Sequence, residues 1–266
     1  MILKSISEGI KFAFSLNTIV PYLVLYLITF YVLISFFSNI VGLIPSGAGI
    51  KSLLSLGIYL PILIIIGLIY LWVHGAIVDQ AKYYPKRKPL AKSFGYSTSR
   101  YLTILCALIL YAIIAAIISS PPYIGPLLAI VLNLITLFLY QAIIVDKKGC
   151  IESFKKSFNT FMRYPLETFV TWLFMIIITG IIVGIFAAPL MIFIFGRVTL
   201  TPELANPAKV EPQTILRILL PAISDAVRSP YFIIFVFILC IGLAYTSAFQ
   251  IGTKTRLYIN TRKIEV

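Results

Sequence analysis

Residues 142–168 read AIIVDKKGCIESFKKSFNTFMRYPLET: the end of an apolar run, a basic amphipathic segment, and the approach to the next apolar run. Ile151, Phe154, Phe158 and Phe161 recur at intervals of three and four, which places them on one stripe of a helix. Glu152, Lys155, Lys156 and Asn159 fall on the other side. Such a helix either lies in the membrane plane, rings among the acyl chains and ammonium groups at the lipid phosphates, or packs against neighbouring helices. Both readings put it on the inner face, with Phe154, Phe158, Lys155 and Lys156 as candidate lipid contacts. Pro165 ends it, because proline lacks the amide hydrogen and clashes with the preceding turn.

Weaker copies of the stretch lie upstream. Residues 2–14, ILKSISEGIKFAF, carry Leu3, Ile6, Ile10 and Phe14 on one stripe, with Lys4, Glu8 and Lys11 elsewhere. Lys11 is a further candidate headgroup contact. Residues 90–100, LAKSFGYSTSR, form a poorer copy.

Between these segments run stretches long enough to cross a bilayer, which takes about 20 apolar residues. From Phe12 to Ile50 there is no charge, and a first span is expected over about Thr18 to Leu43, capped by Asn17. PSGAGIKS then turns the chain into a second span ending near Val78. Residues 101–145 carry no charge and suffice for two spans, with SSPPYIGP as the turn between them. A fifth span is expected from about Glu167 to Phe195 and a sixth from about Tyr231 to Gly252. Between them lies an outer insertion, about 196–230, with a short helix near 215–223. A basic tail closes the chain.

Composition agrees. With 60% hydrophobic and 12% charged residues and a mean hydropathy of +1.02, the chain is too apolar for a soluble domain, whose charged fraction is about a quarter. The fold class is therefore all-α integral membrane, a single transmembrane domain over 1–266 with six helices. The net charge of +13 points to anionic lipid and not to nucleic acid, because the basic residues flank apolar runs. With both termini cytoplasmic, all but five of the 22 Lys and Arg fall inside, the exceptions being Lys51, Arg197, Lys209, Arg217 and Arg228. That bias sets the expected orientation in the cell membrane. The first apolar run is too long for a secretory h-region, so a retained N-terminus is expected. Three cysteines with no ligand spacing imply neither a disulfide framework nor a zinc site.

Aligned on their amphipathic segments, three repeat units emerge, at about 1–80, 88–147 and 149–263. Gly9 matches Ser93 and Ser153, and Ala13 matches Ser97 and Ser157. Unit one closes with GAIVD at Asp79 and unit two with AIIVD at Asp146. The AIIVD ending, the ESFKKSF segment and the terminal LYINTR resemble the membrane domain associated with glycerophosphodiester phosphodiesterases and related prokaryotic multi-pass proteins. In those phosphodiesterases the chemistry belongs to a separate soluble barrel, so the resemblance implies the membrane architecture and no activity.

Few residues offer chemistry. His74 is the only histidine, five residues before Asp79 near the inner end of span two. An ionisable group inside a span is a functional candidate, here for a proton or ion path, or else a neutral ring satisfied by a carbonyl. Asp79 and Asp146 are candidates for a paired carboxylate site with His74, or for headgroup-level pairing with the adjacent basic loops. Asn39, Asn133 and Gln141 are expected as interhelical hydrogen-bond partners, and Gly180 and Gly184 have the spacing of a close helix contact. There is no phosphate loop, HExxH, GxSxG or magnesium-type carboxylate cluster. The expected function is a non-enzymatic lipid- or protein-binding scaffold or accessory subunit, without cofactor. The alternative is a permease or ABC-type exporter subunit for a hydrophobic or lipid-like substrate, partnered by an ATPase.

Overall fold

A computed structural model describes residues 1–43, 57–86, 88–199 and 225–263, and every regular element among them is helical. In chain order the helices are α1 Ile2–Ala13, α2 Leu16–Leu43, α3 Tyr59–Tyr83, α4 Leu90–Ser119, α5 Gly125–Ile135, α6 Leu139–Ile144, α7 Cys150–Arg163, α8 Pro165–Thr199 and α9 Pro230–Lys263. Six stretches are long and apolar enough to cross a membrane: Leu16–Asn39, Tyr59–Tyr83, Leu90–Ser119, Gly125–Ile144, Pro165–Gly196 and Pro230–Arg262. Apolar residues cover their outer faces, as at Ile109, Ile113 and Ile117 of α4 and Ile177, Ile181 and Ile185 of α8. In water such a surface would aggregate; against acyl chains it costs nothing.

The expected spans match these helices in number and order, and their ends differ instructively. LAKSFGYSTSR does not form a separate segment but is the first third of α4. The sixth span does not stop at Gly252: α9 continues through the basic tail to Lys263, with Leu257, Tyr258 and Thr261 buried. Asn17 lies inside α2 instead of capping it, and Ser15 precedes the helix, accepting at its carbonyl from Thr18 N and Oγ1. The turn expected at 45–52 and the short helix expected over 215–223 lie outside the described residues.

The chain divides into two compact units. Unit 1 comprises Met1–Tyr22, Leu68–Thr179 and Tyr245–Val266, and unit 2 comprises Leu23–Gly67 and Gly180–Ala244. Unit 2 is built on Leu190, Phe232, Val236 and Cys240, with Phe30, Ile34 and Phe193 packed around them. Gly242 there lies against Phe186, with no room for a Cβ. Asn39 Nδ2 donates to the Tyr59 hydroxyl and to the Ser35 carbonyl. A side chain at Gly180 or Gly184 would meet open space, so neither glycine marks a close crossing within this chain.

Unit 1 packs around Ile6, Ala13, Met175, Ala248 and Phe249, and its helices approach through small residues. Gly9 of α1 lies so close to Thr253 of α9 that a Cβ would overlap it, and Asn260 Nδ2 donates to Ser5 Oγ at 3.1 Å. Ser97 of α4 donates to the Trp72 carbonyl of α3 at 2.7 Å, and Gln80 donates to Ser93 Oγ at 3.0 Å. Ser153 and Ser157 of α7 are buried too, whereas Ile151 and Phe158 of its apolar stripe are exposed. The protein-facing side of α7 is thus serine, and part of its phenylalanine stripe faces outward.

The fourth span is interrupted over 136–138, between α5 and α6, without a proline or glycine. Ser157 closes the gap. Its hydroxyl donates to the Ile135 carbonyl at 2.6 Å and accepts from Phe138 N at 3.2 Å. Non-helical backbone survives at membrane depth only where its polar groups are satisfied by protein, and one serine does that here. After α6 the chain turns at Lys147, whose φ of 59° is left-handed, with Lys148 N donating back to the Ala142 carbonyl at 3.1 Å.

Candidate functional site

Beside the interrupted span, unit 1 encloses a cavity of about 310 Å³, lined from α3, α4, α5, α6, α8 and α9. The volume falls within the range of small-ligand sites, about 300–1,000 Å³. Each wall follows from the local fold. The break in span four turns Thr136, Leu137, Leu139 and Tyr140 toward the cavity, and α4 contributes Ile104, Ala107, Leu108 and Tyr111 along two turns. Trp172, Met175 and Ile176 of α8 add an apolar side. Gln250 and Lys254 stand one turn apart on α9, and His74 projects from α3.

Polar groups enter the lining from several helices. His74 and Lys254 each lie about two and a half turns inside the ends of α3 and α9 at Tyr83 and Lys263. The Tyr22 hydroxyl is 3.1 Å from His74 Nδ1, and the imidazole packs against the rings of Tyr140 and Tyr70 with centroids 4.4 and 5.9 Å away. Gln250 Nε2 donates to Thr179 Oγ1 at 3.1 Å. Gln141 Nε2 donates to Thr255 Oγ1 at 3.4 Å, while its buried Oε1 has no donor. Toward the hairpin of α4 and α5, Tyr111 donates to Asn133 Oδ1 at 2.8 Å. Asn133 and Ile176 are exposed, so the rim opens on the outer surface of these helices.

The carboxylates singled out beside His74 stand elsewhere. Asp79 pairs with Lys88, whose ammonium also lies over the Tyr83 and Tyr96 rings. Asp146 accepts from the Tyr258 hydroxyl at 2.6 Å and from Arg262 at 2.9 Å. Neither lines the cavity, so His74, Asp79 and Asp146 do not form one cluster. Lys88 lies in the basic loop that follows Asp79, whereas Arg262 belongs to the end of α9 and not to the loop after Asp146. Among the described residues no group of three metal-ligating side chains occurs. Cys106, Cys150 and Cys240 are free, the first two with their sulfurs in contact at 2.7 Å.

Of the candidate lipid contacts, Lys11, Lys155 and Phe158 are exposed and Lys156 and Phe154 are half-buried. Lys11 also lines a second, smaller hollow of about 160 Å³ with Phe12, Asn17, Gln80, Tyr84 and Lys86. Lys254 was not legible as a site residue, because it reads as part of the basic tail. The signal available was its spacing of four from Gln250, two polar residues on one face of an apolar helix.

No family model, curated protein or solved structure matches the chain.

Proposed function

We propose that this multi-pass membrane protein binds a single lipid-like amphiphile in the cavity of unit 1, acting as a non-enzymatic scaffold or accessory subunit with cytoplasmic termini. The observation that carries the reading is the lining: polar groups that include His74, Gln250 and Lys254, and apolar walls from Ile104, Leu108, Met175 and Ile176. An amphiphile satisfies both halves at once, whereas a polar solute would leave the walls uncovered. Among the described residues the lining contains no carboxylate, the acid partner that His74 would need for general acid–base chemistry. Exposed Lys11, Lys155 and Phe158 support a further, weaker association with anionic headgroups at the inner face.

We also read the chain as three repeats. The small-residue faces of α1, α4 and α7 each meet the closing helix of a neighbouring repeat: α1 on α9, α4 on α3, and α7 on the α5–α6 break.

Extraction in a mild detergent followed by native mass spectrometry tests the function. One equivalent of lipid should remain bound, and Leu108→Trp, which fills the cavity, should release it while the helical circular dichroism is unchanged. Retention of the same lipid by Leu108→Trp would refute the cavity as its site. A permease for a lipid-like substrate is the second reading, favoured by exposed Asn133 and Ile176, which give a lipid a lateral way in. Faster movement of a fluorescent lipid between leaflets of reconstituted liposomes than of protein-free ones would put that reading first.

A further inference from the structure

We propose that Lys254 is the receptor for an anion on the bound amphiphile, so that the ligand is a carboxylate- or phosphate-bearing lipid and not a neutral one. The inference rests on the amphiphile reading above and adds the chemistry of the head.

Three basic residues of unit 1 show what a paired cation looks like in this fold: Lys88 has Asp79, Arg262 has Asp146, and Lys148 has Glu152 at 3.7 Å. Arg256 has Glu8 at 3.5 Å but keeps two buried nitrogens without a hydrogen-bond partner. Lys254 lines the cavity, and among the described residues it has neither a carboxylate within 4 Å nor a hydrogen-bond acceptor. An ammonium carries three donors and no acceptor, so each unmet donor calls for an oxygen from outside the chain. Within a membrane-spanning helix an uncompensated charge is costly, and such residues pair with one another, with carbonyls, or with a ligand. Among the described residues no acid lines this cavity, and His74, which lines it too, can supply no negative charge. The missing counter-charge is therefore the ligand's.

Depth fits the same molecule. Lys254 stands about two and a half turns inside the end of α9 at Lys263, in the half of the helix where Arg256, Arg262 and Lys263 also gather in sequence. From Ile104 to Tyr111 the α4 wall extends about 10 Å along the helix, giving an acyl chain a groove leading away from the charge.

The chain has two tryptophans, and only Trp172 lines the cavity; Trp72 donates to Thr98 Oγ1 at 2.9 Å. In a Trp72→Phe background, Trp172 fluorescence of the full chain in dodecylmaltoside reports occupancy. The probes are 9,10-dibromostearic acid, its methyl ester, and inorganic phosphate as a competitor. We expect saturable quenching by the acid, about tenfold to a hundredfold tighter than by the ester, the range of one charge-assisted hydrogen bond. Lys254→Met should abolish that preference and leave ester binding unchanged, and Lys254→Arg should restore most of it.

Equal binding of acid and ester, insensitive to Lys254→Met, would overturn the inference and leave the amphiphile reading standing. Saturable quenching by neither probe would overturn both. If phosphate alone stabilises the wild type against heat, but not Lys254→Met, while neither probe quenches, the anion receptor stands and the amphiphile reading falls.

Discussion

Asp79 and Lys254 both sit on inward faces of unit 1, and their surroundings are opposite. Asp79 is 1% exposed and tied to Lys88, and Asp146 is held in the same way by Tyr258 and Arg262. Lys254 faces a cavity with an imidazole, three carboxamides and aromatic rings but, among the described residues, no acid. The difference separates two uses of charge in an apolar chain. A charge matched within the chain fixes helix ends against one another; a charge left unmatched beside a cavity is available to something else.

The largest effect should come from unmatching the matched charge. Lys88→Met leaves Asp79 buried without its partner and should destabilise the fold by about 3 kcal/mol, the lower end of the range for broken buried pairs, because the Lys88 side chain is 21% exposed. Thermal unfolding in detergent measures it. Adding Asp79→Asn should recover most of the loss, since the double variant has no buried charge. If Lys88→Met unfolds with the wild type, the pair is not architectural and the contrast with Lys254 collapses.

Next in size is the serine that holds the break beside the cavity. Ser157→Ala leaves both the Ile135 carbonyl and Phe138 N without their partner, at about 1–3 kcal/mol. Ser97→Ala removes one bond, to a carbonyl already in a continuous helix, and should cost about 1 kcal/mol or less. Only Ser157→Ala should also change Trp172 fluorescence, because only that serine supports the cavity wall. Smaller again, Lys147→Gly should raise stability by about 1 kcal/mol, the penalty a side chain carries in the left-handed region. Unfolding midpoints compared with Lys148→Gly, at an ordinary backbone position, isolate that term.

These sites differ in how far the sequence reveals them. The spans were legible because charge-free runs such as 101–145 have no soluble alternative. The break at 136–138 was not, since LITLFLYQ contains no helix breaker; its cause is a hydroxyl on another helix, nineteen to twenty-two residues away. Lys254 was hidden by its company. TKTRLYINTRK has the composition of a solvated tail, and only the spacing of Thr253, Leu257 and Thr261, all buried, marks it as a packed helix. Asp79 and Asp146 stood out because acids are rare here, and rarity does not reveal whether a charge has a partner.

The smallest effect expected is therefore the most informative. Lys254→Met exchanges an unpaired ammonium for an apolar side chain of similar length, so in ligand-free protein it should unfold at the same temperature as the wild type or slightly above it. Saturating 9,10-dibromostearic acid should raise the wild-type midpoint by mass action and leave that of Lys254→Met where it was. Loss of stability in Lys254→Met comparable to that in Lys88→Met, without ligand, would make Lys254 another matched charge whose partner lies in the fold. Unchanged stability with lost response to the acid is the signature of a group whose partner arrives from the membrane.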